Sequence, residues 1–205
     1  MIFFFFILTL IISFLSVGAS YYLDIMSVKK ANEAISAKQA SHNKLTSRVG
    51  GLAAIIALVI GVFFTADKFI FFIVLSSIPV LVAGGLEDLG HNIKPVYRLN
   101  AGVVSGFIAI YLTGLWLDNV DLEILAPILS IPLIAICFTA FASAGISNSI
   151  NLIDGVNGLS SGVIALIGLA LCFISFSVGE IGLGTFCIIL VGSILGFFIW
   201  NFPKG

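Results

Sequence analysis

From Ile2 to Ala19 the chain reads IFFFFILTLIISFLSVGA, without one charged side chain, and comparable apolar runs follow at 50–66, 69–86, 99–117, 124–144, 158–178 and 181–200. Backbone amides and carbonyls inside hydrocarbon find no water, so a segment must satisfy them itself, as a helix or within a closed barrel. Barrel strands alternate apolar and polar residues; these runs do not, and their lengths suit the roughly 20 residues a helix needs to cross a bilayer. The expected fold is therefore all-α, a polytopic membrane protein of about seven transmembrane helices forming a single domain over residues 1–205. Composition agrees, since 60% of the 205 residues are hydrophobic, 9% are charged and the mean hydropathy is +1.23, a surface that needs lipid as its solvent. The first run has no charge before it, no small-residue cleavage site and basic residues only after it, which fits a retained span better than a signal peptide.

The cations orient this arrangement. Lys29, Lys30, Lys38, Lys44, Arg48, Lys94, Arg98 and Lys204 fall on one side, and only Lys68 falls on the other. The positive-inside rule makes the first side cytoplasmic, with the N-terminus outside and the C-terminus in the cytoplasm. Asp67, Asp118, Asp121, Glu123 and Glu180 then mark outer turns. A net charge of −1 argues against a nucleic-acid partner. Cys137, Cys172 and Cys187 sit in apolar runs without metal-ligand or redox spacing and read as small apolar residues, and the two histidines show no ligand spacing either.

Polar residues of specific type collect in three inner segments. The first ends in SHNKLTSRVGG, where His42, Lys44 and Arg48 precede Gly50 and Gly51 at the start of a run; cations and free helix N-terminal amides there could meet an anion. The second, GGLEDLGHNIKPVYRL, pairs Glu87 with Asp88. Adjacent carboxylates at a membrane boundary repel unless solvated or matched by a cation, and their hard oxygens suit Mg²⁺ shared with substrate phosphates. Lys94 and Arg98 follow, as phosphate partners or as plain inside charges. In the third, SNSINLIDGVNGLSSG, Asn148, Asn151 and Asp154 are three residues apart and would share one face if the stretch is helical. Gly155 and Gly158 allow a turn or a close approach, and Asn157 offers both donor and acceptor.

At these residues the chain resembles the polyprenyl-phosphate N-acetylhexosamine-1-phosphate transferases, glycosyltransferase family 4. Asn148, Asn151, Asp154, Gly155, Gly158 and Leu159 match the N-x-x-N-x-x-D-G-x-x-G-L pattern in full. SHNKLTSRVGG is similar to an H-x-x-x-P-T-P-R-x-G-G segment, with Leu45 and Ser47 in place of the prolines, and Glu87–Asp88 stand where the family has paired aspartates. The terminal GFFIWNFPKG is similar to the segment leading into an F-x-G-D motif. The resemblance thus implies a domain truncated at its C-terminal end relative to the family, with little activity expected of residues 1–205 alone.

What the resemblance implies is transfer of a sugar-1-phosphate from a UDP-N-acetylhexosamine to a polyprenyl phosphate, undecaprenyl phosphate by expectation, with release of UMP. This would initiate O-antigen or cell-wall glycan synthesis at the cytoplasmic face of a bacterial inner membrane, with membrane lipid around the protein and a homodimer left open. It assigns Asp88 as the catalytic carboxylate with Glu87 beside it. Asn148, Asn151, Asp154 and Asn157 would bind substrate with His42, Arg48 and Lys94, and Asp88 and Asp154 would hold Mg²⁺, or Mn²⁺ in its place. Two other readings compete: a catalytically incomplete remnant or split-enzyme subunit that binds lipid or a partner, and, less favoured because the runs carry almost no mid-span charge, a small transporter. CDP-alcohol phosphatidyltransferases also place Asp-Gly pairs at the membrane face, but VNGLSSGVIALIG after Gly155 lacks their further aspartates.

Overall fold

The computed structural model describes residues 2–23, 50–65, 67–88, 91 and 93–203. Every regular element among them is helical: α1 (Ile2–Leu23), α2 (Gly50–Phe63), α3 (Lys68–Ser76), α4 (Ile78–Asp88), α5 (Pro95–Thr113), the short α6 (Ala126–Leu129), α7 (Pro132–Leu152), α8 (Leu159–Ser177) and α9 (Ile181–Asn201). Among the described residues, α1, α5, α7, α8 and α9 are long and apolar enough to cross a membrane, and α3 with α4 makes a sixth span if the bent pair counts as one. The protein is a multi-pass helical membrane protein. The seventh expected span is represented by α2, whose 14 residues reach about 21 Å, short of the roughly 30 Å hydrocarbon layer. The residues before Gly50 lie outside those described.

Two expected spans are displaced, and prolines and a glycine explain the shift. Pro95 opens α5 because a missing N–H costs nothing in a first turn, and Gly114 closes it in the left-handed region at φ 71°, its N–H returning to the Ile110 carbonyl oxygen at 2.8 Å. The span expected at 124–144 begins instead at Pro132, with residues 114–131 forming turns and α6. Apolarity of 124–131 therefore marks a largely exposed segment, with only Leu129 buried, rather than a span. As a result α7 extends to Leu152 and takes Asn148 and Asn151 onto its last turns.

The 41° bend between α3 and α4 falls at Ser77. Pro79 has no N–H to return to Leu75, and the hydroxyls of Ser76 and Ser77 bond back to Ile73 and Val74, each at 2.7 Å. Both features open the helical ladder on one side.

The chain divides into two compact units, a terminal one (residues 1–70 and 153–205) and a central one (71–152). In the terminal unit α9 packs against α1, α8 and α2. Its seam with α1 is lined by small residues: a Cβ placed on Gly192 would lie 2.6 Å from the Phe6 carbonyl oxygen, and one on Gly196 would lie 2.5 Å from that of Leu10. Lipid tails are as apolar as leucine, so membrane helices associate by such close approach and by interhelical hydrogen bonds. The Thr9 hydroxyl supplies one, lying 3.2 Å from the Ile189 carbonyl oxygen across the seam. In the central unit α5 packs against α4 and α7. There Gly102 and Gly106 face Ala144 and Ala140, with hypothetical Cβ contacts of 2.9 and 2.8 Å.

Candidate functional site

The central unit gathers three helix ends. Glu87 lies in the last turn of α4, Arg98 in the first turn of α5 and Asn151 in the last turn of α7. Arg98 Nη1 donates to Glu87 Oε2 at 2.5 Å, with the arginine side chain 21% exposed and the glutamate 36%. With the Asn151 amide placed so that its carbonyl oxygen faces the cation, that oxygen accepts from Nη1 at 2.9 Å and Nη2 at 3.3 Å. Arg98 Nε is buried and has no partner among the described residues. The C-terminal ends of α4 and α7 both carry partial negative charge, which favours a cation at this point.

Of the other candidate residues, Asp88, Lys94 and Asn148 belong to this unit. Asp88 closes α4 next to Glu87, and its side chain lies outside those described. Lys94 is the exposed N-terminal cap of α5, its carbonyl oxygen accepting from the Tyr97 N–H at 2.9 Å. Asn148 stands half-buried one turn before Asn151 on α7. His42 and Arg48 lie outside the described residues.

Asp154 does not share a helical face with Asn148 and Asn151, because α7 ends at Leu152 and residues 153–158 form turns. It belongs to the terminal unit, whereas both asparagines belong to the central one. Its Oδ1 accepts from the Ser160 hydroxyl at 2.5 Å, leaving Oδ2 clear of that bond. Asn157 Nδ2 lies 3.5 Å from the Pro203 carbonyl oxygen. Gly158, at φ 79°, starts α8, and a Cβ there would meet Phe198 and Phe202 at 2.9 Å. Those two rings stack with centroids 5.3 Å apart. The turn after Asp154 is thus pressed against the end of α9, and glycine alone fits it without strain.

Ser160 also lines a cavity of about 260 Å³ bounded by α2, α8 and α9. Its walls are otherwise apolar except for Ser161 and Ser193, and the buried Ser161 hydroxyl has no partner among the described residues. Ser160 was not singled out from sequence, although SSG directly after the NGL turn places a hydroxyl six residues from Asp154.

Among the described residues no three histidine, cysteine or carboxylate side chains converge as a metal site. The donor chemistry nevertheless suits a hard cation, since Asp154 is a carboxylate whose Oδ2 does not take part in the Ser160 bond.

These features define a class: a helical membrane protein whose charged and amide side chains stand at helix ends, while the described spans carry no charge at their middles. Residues 70–205 match the model of glycosyl transferase family 4, and the chain belongs to that family. It is 31% identical over 175 residues to the phospho-N-acetylmuramoyl-pentapeptide-transferase of Clostridium perfringens (strain 13 / Type A), covering 77% of this chain and 54% of the relative. To the "Probable undecaprenyl-phosphate N-acetylglucosaminyl 1-phosphate transferase" of Bacillus subtilis (strain 168) it is 30% identical over 168 residues, 78% of this chain and 45% of the relative. The chain therefore spans about half the length of these curated relatives. No solved structure matches it.

Proposed function

We propose that the whole protein transfers a sugar-1-phosphate from a UDP-N-acetylhexosamine to undecaprenyl phosphate, releasing UMP, as the initiating step of O-antigen or cell-wall glycan synthesis. The family match over 70–205 carries this reading, because that stretch contains both the Glu87–Asp88 pair and the N-x-x-N-x-x-D-G pattern. A lipid-phosphate oxygen forms the new bond to the sugar-linked phosphorus, and the bond from that phosphorus to UMP breaks. Asp88 is the catalytic carboxylate, as base toward the lipid phosphate or as nucleophile, with Glu87 beside it. Asn148, Asn151, Asp154 and Asn157 bind the nucleotide sugar, and His42, Arg48 and Lys94 are its cationic contacts. Mg²⁺, with Mn²⁺ as a substitute, would be held by Asp88 and Asp154 and would offset the charge of two approaching phosphates. The gathering of cations on one side supports a cytoplasmic active face in a bacterial inner membrane, where a soluble nucleotide meets a lipid headgroup.

The test uses the full-length protein in detergent with undecaprenyl phosphate and either UDP-N-acetylglucosamine or UDP-N-acetylmuramoyl-pentapeptide, reading UMP release. Asp88→Asn and Asp154→Asn should abolish release while membrane insertion is unchanged. Normal turnover in both variants overturns the site assignment, and absence of UMP release by the unmodified protein overturns the reaction.

A further inference from the structure

The sequence leaves Arg98 as either an inside charge or a phosphate partner, and the structure occupies it otherwise. Nη1 serves both Glu87 and Asn151, Nη2 reaches Asn151 as well, and Nε is buried. Recognition of a phosphate by arginine uses two parallel N–H donors of the planar fork, and here both Nη groups are engaged by Glu87 and Asn151.

Asn151 carries the consequence. An amide offers an acceptor at one end and two donors at the other. With its oxygen held by the guanidinium, the exposed side chain of Asn151 can present only its Nδ2 donors to a ligand. Glu87 fits the same scheme. A carboxylate carried on one methylene fewer would end about 1.5 Å short of the cation. The longer arm is what brings Oε2 to Nη1.

We infer that Arg98 is a positioning residue: anchored by Glu87, it fixes the orientation of the Asn151 amide so that this site offers hydrogen-bond donors, and it does not itself bind a substrate phosphate. The inference deepens the transferase reading and rests on it for what the donors meet, namely the oxygen acceptors of a nucleotide sugar. It also ties the end of α4, and with it Asp88, to the end of α7.

The experiment is a double-mutant cycle in the full-length protein with Arg98→Lys, Asn151→Ala and the pair. Lysine keeps the charge and can still meet Glu87, but it lacks the fork that holds the amide. Arg98→Lys should lower kcat/KM roughly tenfold in the otherwise unmodified protein and less than about twofold when Asn151 is already alanine, since residues that act as one unit are non-additive. A drop of the same size in both backgrounds, expressed mainly in KM for the nucleotide sugar, overturns the inference and returns Arg98 to phosphate binding. Should the unmodified protein release no UMP, the transferase reading fails by itself. Melting of Arg98→Gln, Asn151→Ala and the double variant in detergent then decides the linkage: a combined shift clearly smaller than the sum upholds it, and an additive shift overturns it.

Discussion

Trp200 donates its indole N–H to the backbone carbonyl oxygen of Phe14 at 3.0 Å, and the two rings lie with centroids 5.2 Å apart. The last turn of α9 is thereby fastened to α1 by a polar and an aromatic contact at once. Trp200→Phe keeps an aromatic ring and removes the donor, which should cost about 1 kcal/mol. In a detergent melt this reads as a loss of a few degrees, with Trp200→Ala losing more. Equal melting of Trp200→Phe and the unmodified protein would show that the bond contributes nothing.

The α1–α9 seam tolerates no added bulk. Gly192→Leu and Gly196→Leu should each lose the monodisperse peak in detergent chromatography, because the new side chains would enter the backbone of α1. Gly84→Ala, where nothing lies within 4 Å of the added carbon, should elute as the unmodified protein does. Intact behaviour of both leucine variants would refute the packing described for the seam.

Asp67 Oδ1 accepts from the N–H groups of Phe69 and Ile70 at 2.8 and 3.2 Å, capping the first turn of α3. Asp67→Ala should lower stability by about 1 kcal/mol, while Asp67→Asn, which retains an acceptor, should lose only a fraction of that. Thermal unfolding of the three proteins side by side separates the cap from the charge; equal losses would assign the effect to charge.

Ser160→Ala removes the hydroxyl that holds Asp154. If Asp154 serves the transfer reaction, freeing its carboxylate should reduce kcat by roughly 5- to 30-fold, the equivalent of about 1–2 kcal/mol, with insertion into the membrane unchanged. Unaltered kcat would mean that the hydroxyl does not orient the carboxylate for catalysis.

Much of the helical plan was legible in the sequence because length and apolarity determine spans directly. The limits of spans were less so. Residues 124–131 are as apolar as a span, and only Pro127 within them and Pro132 after them distinguish a surface segment from the start of α7. The site was half legible: Glu87, Asn151 and Asp154 stand out as polar groups in an apolar chain, but spacing along one strand of sequence could not reveal that Arg98 joins the first two. Nor could it show that α7 stops before Asp154, since the three-residue rhythm of Asn148, Asn151 and Asp154 continues past the end of the helix that it suggests. Ser160 escaped notice because a serine in an apolar run is ordinary, and only its distance to Asp154 gives it a partner.

Away from the Arg98–Asn151 contact at one end, the approach of Gly102 and Gly106 to Ala144 and Ala140 holds α5 to α7 by contact of small groups. Dispersion falls off steeply, and an extra gap of 0.5–1 Å already forfeits about a quarter to a half of each contact. During biogenesis these two helices, inserted separately, would therefore dock in an all-or-none step, and a subtle enlargement of either face would show as rapid quality-control degradation of the newly made chain.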